Sequence, residues 1–356
     1  MINKEPDEMI KREFAFRVRS GSSEEFLIRN ESFGSHSALK QRILNLCPIK
    51  IDIGAFFNLS VKLKKNQLTN SDIIAEEREF VIDIDISDYN HIRSCCTGTG
   101  ICQSCFKFLK AGHKALEHIL NKCFGFNTIL WTFSGRRGIH AWIYDKEARK
   151  MGDKLRQAVT KYISITNSST FSDHYIKQEF LDKPDMSCLL DSLFNELKEF
   201  HIFLLNEQRI LDNPEIDKKV IIMAERCMNK RLSEVDKLRY QQTTPPIAKF
   251  TRLAKLIKQY TGDKQLAERF TKEFVISFLY PILDVSVSSS TQHLLRSPFS
   301  VHYDTLKICL PIIDFNSFNV MKSLTLNDLV ASYNRDNKNL LQDSLFYVQS
   351  FINLIK

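Results

Sequence analysis

Phe80-Val81-Ile82-Asp83-Ile84-Asp85-Ile86 alternates apolar and acidic side chains with the period of two that a β-strand imposes. Phe80, Ile82, Ile84 and Ile86 then face one way, and Asp83 and Asp85 share the other. At about 3.3 Å per residue their Cα atoms stand about 6.6 Å apart, close enough for both carboxylates to grip one pair of cations. Two like charges so near repel unless a cation neutralises them. Two solvated acids on the wet face of an ordinary strand are the competing reading, but strand interiors are depleted in Asp.

Working outward, Thr128-Ile129-Leu130-Trp131-Thr132-Phe133 and Ile139-His140-Ala141-Trp142-Ile143-Tyr144 read as two strands joined by Gly135-Arg136-Arg137-Gly138. A glycine-bracketed turn of this kind fits a hairpin. Arg136 and Arg137 sit at its tip, where guanidinium forks suit phosphate oxygens. Ser134 and His140, one on each arm, offer a hydroxyl and an imidazole to the same anion. An exposed basic turn without a ligand is the alternative for G-R-R-G alone; beside an acidic pair, the two motifs read together as the halves of a metal-dependent nucleotidyl-transfer centre.

Nine cysteines are present, and Cys47, Cys123, Cys188, Cys227 and Cys309 are scattered singly, which argues against a disulfide framework. The other four form Cys95-Cys96-x5-Cys102-x2-Cys105 around Thr97-Gly98-Thr99-Gly100, a loop able to wrap a tetrahedral ion. Four thiolates on one Zn2+ leave no open position for water, so the predicted ion is structural. Four reduced, metal-free thiols are the alternative.

The chain has 356 residues, long enough for one large domain with an insertion or for two, with 43% hydrophobic and 26% charged residues and a net charge of +8. That charge suits a nucleic-acid partner but does not require one. Met1 to Glu8 lacks the apolar core of a signal peptide, and no stretch approaches the roughly 18 apolar residues of a membrane span. No membrane association is expected.

Met1 to Ile86 reads as strands with a helix near Ser37 to Leu46. Gln103 to Phe124 reads as a helix with Phe106, Leu109, Leu116, Ile119, Leu120 and Cys123 on one side and Gly125 as its stop. Apolar spacing from Cys188 to Leu279 is mostly helical, and Leu340 to Ile355 is helical again. Lys249, Arg252, Lys255 and Lys258 fall on one helical face, which reads as solvated surface before template-binding stripe. Leu283, Val285 and Val287 alternate as a strand, with Asp284 on the opposite side.

D-I-D-x-S-D-Y, C-C-x5-C-x2-C and S-G-R-R-G-x-H, in this order, resemble the small, catalytic subunit of eukaryotic-type DNA primases. The resemblance begins at Arg12-Glu13-Phe14-Ala15-Phe16 and runs through Phe26-Leu27-Ile28-Arg29 and Ile51-Asp52-Ile53-Gly54-Ala55. It fades between about Gly152 and Val275, and resumes at Tyr280-Pro281-Ile282-Leu283-Asp284 and Ser297-Pro298-Phe299-Ser300-Val301-His302. It implies an α+β (mixed α/β) archaeo-eukaryotic primase fold with a zinc-binding motif and an inserted helical subdomain. The implied organisation is a catalytic core in 1–187, a helical subdomain in 188–279, the rest of the core in 280–310 and a C-terminal segment in 311–356. Eleven residues precede Arg12, where relatives carry an aromatic-rich helix.

The same resemblance implies that Asp83, Asp85 and Asp284 hold two Mg2+ or Mn2+ ions. Ser134, Arg136, Arg137, His140, Arg296 and His302 match phosphate-binding positions, and Arg29 and Asp52 match residues near the nucleotide. Arg296 stands where relatives carry lysine, exchanging a point charge for a fork, and Ile282 stands where relatives often carry arginine. The implied activity is synthesis of short RNA primers on single-stranded DNA from ribonucleoside triphosphates, in the nucleus, with a large primase subunit and a DNA polymerase alpha-type complex. A primase-like enzyme that extends or repairs ends, and a catalytically vestigial zinc-stabilised nucleic-acid scaffold, remain the alternatives.

Overall fold

In the computed structural model, residues 9–19, 24–65, 72–166, 176–181, 184–335 and 339–355 are described. The segment read for a signal peptide lies outside them. Contacts divide the chain into two units: the first comprises 1–84, 125–162 and 283–356, the second 85–124 and 163–282. Strands and helices are both abundant, the mixed α/β class that the resemblance implies.

The first unit holds two sheets. One runs β2 (Glu25–Glu31), β1 (Arg12–Arg19), β3 (Lys50–Phe57) and β4 (Ala75–Glu77), with β8 (Leu295–Arg296) also pairing with β3. The β1 to β3 pairs are antiparallel, and Asp52 of β3 lies opposite Arg296 of β8. The other sheet has the order β5 (Phe80–Asp85), β7 (Gly138–Ile143), β6 (Ile129–Phe133). β6 and β7 form the predicted hairpin, in register from Ile129 opposite Ile143 to Phe133 opposite Ile139.

Burial along β5 follows the reading of its sequence: Phe80, Ile82 and Ile84 are fully buried, whereas Asp83 and Asp85 are half-buried. Val81 is buried too, in a cluster with Leu130, Trp142, Tyr144, Val287, Leu295 and Phe351. Phe351 belongs to the C-terminal helix Gln342–Ile355 and meets Tyr144 edge-on at 5.3 Å, so that helix packs on this sheet. Burying an aromatic side chain of this size contributes on the order of 2–3 kcal/mol.

A buried guanidinium network ties the first sheet to the second. Arg12 donates both Nη atoms to Glu79, at 3.2 and 2.7 Å, and its guanidinium lies 4.3 Å from the Phe56 ring centroid. Arg156 donates to the carbonyls of Met151 and Arg78, and Arg78 donates to the carbonyls of Val287 and Ser290. Burial costs a cation several kcal/mol, which these bonds offset.

The second unit is mainly helical. α1 (Phe106–Phe124) buries Phe106, Phe108, Leu109, Leu116, Ile119 and Leu120. It begins three residues later than expected, because residues 103–105 form a turn. Cys123 is exposed, a correction to its expected place on the inner side, while Phe108 takes an inner position. Gly125 ends the helix at φ +70°. Tyr89 and Phe203 flank Phe108, each with ring centroids 4.9 Å away.

The predicted helical stretch appears as α2 (Pro184–Leu197), α3 (Pro214–Met228), α4 (Pro246–Thr261) and α5 (Lys264–Leu279), with shorter helical segments and turns between. Phe250 stacks on Phe270 at 5.2 Å and meets Phe274 at 4.6 Å, joining α4 to α5. On α4, Lys255 and Lys258 are exposed, whereas Lys249 and Arg252 are half-buried, Lys249 beside Asp217 at 3.5 Å.

Candidate active site

Asp83 leaves β5 on its polar face, and the backbone N–H of Asp284 donates to the Asp83 carbonyl at 3.4 Å. Two acids remote in sequence are thereby neighbours. The strand expected at 283–287 is corrected: Asp284 is the N-cap of a short helix, α6 (Val285–Ser289). Its carboxylate accepts from the Ser286 backbone N–H at 2.9 Å and the Ser286 hydroxyl at 2.7 Å. Capping wins over strand alternation because Asp satisfies the orphan N–H groups of a helix start.

Asp85 repeats the device. It caps the 3-10 turn Ile86–Tyr89, accepting from the Ser87 N–H at 2.8 Å and the Ser87 hydroxyl at 2.7 Å. Each Asp-x-Ser bond pair uses one carboxylate oxygen, Oδ1, and holds the side chain in a fixed rotamer. The signal was present in the sequence as D-I-S and D-V-S, a cap pattern that strand alternation masked.

Around the hairpin turn, Ser134 Oγ accepts from the Gly138 N–H at 3.0 Å and the Arg136 N–H at 3.4 Å, so the serine shapes the loop. Gly135 adopts φ +85°, and a Cβ there would stand 3.0 Å from the Lys307 carbonyl and 3.1 Å from His302 Cβ. The turn is thus pressed against the segment carrying His302. Thr305 donates to the Gly135 carbonyl at 2.6 Å, and Arg296 Nη1 reaches the Ser134 carbonyl at 3.5 Å. Arg136 pairs with Asp304 at 2.9 Å, and the Asp304 N–H donates to His302 Nδ1 at 3.3 Å. Arg137 is half-buried beside them in the turn.

His140 is buried, with Nε2 3.7 Å from Asp83 Oδ1 and Nδ1 lacking a hydrogen-bond partner. Burial, with Arg296 and Lys50 adding repulsion, draws its pKa down to about 3. The ring is neutral at neutral pH, so its contact with Asp83 is not an ion pair. His302 is drawn down to about 4, again by burial first and then by Arg296. Two neutral imidazoles and a cluster of guanidiniums suit an anion that brings its own charge.

Asp52 is buried, paired with Lys50 at 2.9 Å and opposite Arg296 across the strands. Arg29 pairs with the buried Glu13 at 3.3 Å and reaches the Gln292 carbonyl at 3.5 Å. Lys50, Asp304 and Thr305 were not legible as site neighbours, since nothing in their spacing distinguishes them from ordinary surface residues.

In the second unit, the sulfurs of Cys95, Cys96, Cys102 and Cys105 lie within 4.8 Å of one another. Among the described residues they are the one group of three or more Cys, His, Asp or Glu side chains so gathered. Cys102 and Cys105 Sγ are 3.8 Å apart. Tetrahedral zinc with Zn–S bonds of about 2.3 Å requires sulfurs about 3.8 Å apart, so the donor set fits the metal. Burial pushes the Cys105 thiol up, whereas Cys102, despite burial, is brought to about 7 by hydrogen-bond donors, first the Cys105 backbone N–H and then the thiols of Cys96 and Cys95.

Two side chains that the sequence reading missed brace this loop. Buried Arg93 donates to the Gly98 and Gly100 carbonyls, each at 2.5 Å, and to Cys105 Sγ at 3.7 Å. Gln208 donates to Cys95 Sγ at 3.6 Å and accepts from the Ser94 N–H at 2.9 Å. Donors around a thiolate cluster spread its negative charge and fix ligand orientation.

The family model described as DNA primase small subunit matches residues 82–314. Curated DNA primase small subunits are similar over nearly the whole chain. That of Saccharomyces cerevisiae is 33% identical over 97% of this chain and 82% of its own length, and that of Schizosaccharomyces pombe 30% identical over 92% and 72%. A more distant likeness, 23% identity over 69% of the chain, extends to the small subunit PriS of the archaeon Methanobrevibacter smithii. With the acids, the arginine-tipped hairpin and the four cysteines all inside the matched span, the chain belongs to the DNA primase small subunit family.

Proposed function

We propose that the chain is the catalytic subunit of a DNA primase, joining ribonucleoside triphosphates into short RNA primers on a single-stranded DNA template. The observation that carries this reading is the bond between Asp284 and Asp83 beside a turn lined with arginine. The acidic triad of Asp83, Asp85 and Asp284 would hold two Mg2+ or Mn2+ ions. Their fit rests on the Asp-x-Ser turns, whose bonds engage Oδ1 of Asp85 and of Asp284. Bound there, such ions supply Lewis acidity at the attacking 3′ hydroxyl and at the leaving pyrophosphate.

The remaining work is positioning and charge. Arg136, Arg137 and Arg296 would clamp the β and γ phosphates, with bidentate forks restricting the triphosphate to one orientation. His140 and His302, neutral by burial, would donate N–H bonds to phosphate oxygens. Ser134 and Gly135 shape the turn that carries Arg136 and Arg137, and Asp52 and Lys50 back Arg296 from the adjoining strand. In-line placement of the hydroxyl on the α-phosphorus then needs no covalent protein intermediate.

Cys95, Cys96, Cys102 and Cys105 would bind one structural Zn2+. No helix among the described residues is long and apolar enough to cross a membrane. Working partners would be a large primase subunit and a replicative DNA polymerase of the alpha type, with action in the nucleus. The name "small subunit" carried by the relatives supports the first of these partners.

The test is synthesis without a primer. Incubation with a homopolymeric single-stranded DNA, complementary ribonucleotides and Mg2+ or Mn2+ is expected to yield short RNA. Extension only of an added primer would favour end extension or repair, and binding without synthesis would favour a scaffold.

A further inference from the structure

Asp284 sits at the start of a five-residue helix, too short to be stable by itself. Something outside α6 must therefore fix where its carboxylate points. The Asp284 N–H bond to the Asp83 carbonyl, at 3.4 Å, is too long to do so alone. Two shorter attachments lie at the far end of the helix. Ser288 Oγ donates to the Val81 carbonyl at 2.7 Å, and Arg78 Nη1 donates to the Ser290 carbonyl at 2.6 Å and the Val287 carbonyl at 3.2 Å. Arg78 and Val81 both lie just ahead of Asp83 on the same length of chain.

Arg78 is 1% exposed, its Nη2 has no hydrogen-bond partner, and burial beside Arg156 draws its pKa down to about 9. A buried cation with an unused donor is a costly way to join a loop to a sheet, and a hydrophobic residue would fill the space at lower cost. What a guanidinium adds is two directed bonds to carbonyls at the C-terminal end of α6, where a positive charge also complements the helix dipole. One end of the helix is capped by Asp284 and the other by Arg78.

We infer that Arg78, assisted by Ser288, is a positioning residue that sets the third carboxylate, Asp284, in register with Asp83 for binding of the catalytic divalent ions. This inference rests on the metal reading of Asp83 and Asp284. Neither Arg78 nor Ser288 touches the substrate. Its loss lowers affinity for the ions and slows turnover, while nucleotide affinity, set by the arginine turn, stays the same.

The experiment uses the zinc-replete full chain with Arg78→Met, Arg78→Lys, Ser288→Ala and Asp83→Asn. Mn2+ binding without nucleotide or DNA is followed by electron paramagnetic resonance, alongside kcat and KM for ribonucleotide and a thermal melt. Arg78→Met is expected to weaken Mn2+ binding and lower kcat about tenfold or more, with KM within twofold. Arg78→Lys should recover part of both, and Ser288→Ala should weaken Mn2+ binding about threefold. Should Arg78→Met not fold, Ser288→Ala, which removes a single hydroxyl, decides by the same measure. Wild-type Mn2+ binding in the folded variants, with binding lost in Asp83→Asn, overturns the positioning role alone. Wild-type binding in Asp83→Asn overturns the metal reading and this inference with it.

Discussion

The Asp284 N–H meets the Asp83 carbonyl at 3.4 Å, and the Asp284 carboxylate is at the same time held by Ser286. One residue therefore serves as both a helix cap and a proposed metal ligand, and a substitution can separate the two. Asn caps a helix as well as Asp does but carries no charge. Asp284→Asn is expected to keep the melting temperature within about 2 °C and to cut primer synthesis by about 100-fold or more. Asp284→Ala should lose activity equally and cost a further ~1 kcal/mol of stability. A Asp284→Asn chain that synthesises primers at the normal rate would remove Asp284 from the chemistry.

The cysteine sulfurs are already spaced for a tetrahedral ion, so metal analysis of the purified chain should return about one zinc per molecule. Cys102→Ser should lower that stoichiometry and destabilise the start of α1, which directly follows Cys105. Gln208→Ala, which removes a donor to Cys95, is expected to retain zinc but release it to a chelator about 10-fold faster. Equal release rates would show that Gln208 does not act on the cluster.

Arg12 and Glu79 form a pair with both side chains nearly fully buried. Removing one partner strands the other charge, so Glu79→Ala should cost about 3–5 kcal/mol, read from denaturant unfolding. Burial by itself would raise the Glu79 pKa, but Arg12 more than offsets it and holds the carboxyl below its ordinary value. A depressed folded pKa gives stability that is present above the unfolded value and is lost as pH falls through the folded one. Acid unfolding of the wild type should therefore contain a step below the ordinary carboxylate range that Glu79→Gln lacks.

Local patterns made much of this protein readable. β5 and the β6–β7 hairpin announced themselves by period-two alternation and a glycine-bracketed turn, and α1 by its apolar stripe. Asp284 failed as a strand because a capping preference acts over two residues and overrode an alternation of three apolar side chains. Spacing alone puts Cys123 inward, whereas the last turn of α1 leaves it exposed. Arg78, Arg93 and Gln208 could not be found, since their partners are backbone carbonyls and sulfurs brought close only by the folded chain. Asp52 meets Arg296 only once β8 is set beside β3, a pairing that spans most of the chain.

Gly138 opens β7 at the point where the hairpin meets β5. A Cβ at this position would lie 2.6 Å from the Ile84 carbonyl and 3.5 Å from Asp83 Oδ1. The nearer atom is backbone, so it cannot swing aside as the end of a flexible side chain would. Gly138→Ala must push the arginine turn away from Asp83, at a cost of about 1–3 kcal/mol. A displacement near 1 Å between the proposed phosphate donors and the proposed metal ligands would slow an in-line reaction by about 100-fold. Gly138→Ala should therefore remain folded by circular dichroism and lose primer synthesis to that extent, while Gly152→Ala, with open space around its Cβ, should change neither. Full activity in Gly138→Ala would mean that the turn and the Asp83 strand need not be in close register for the reaction.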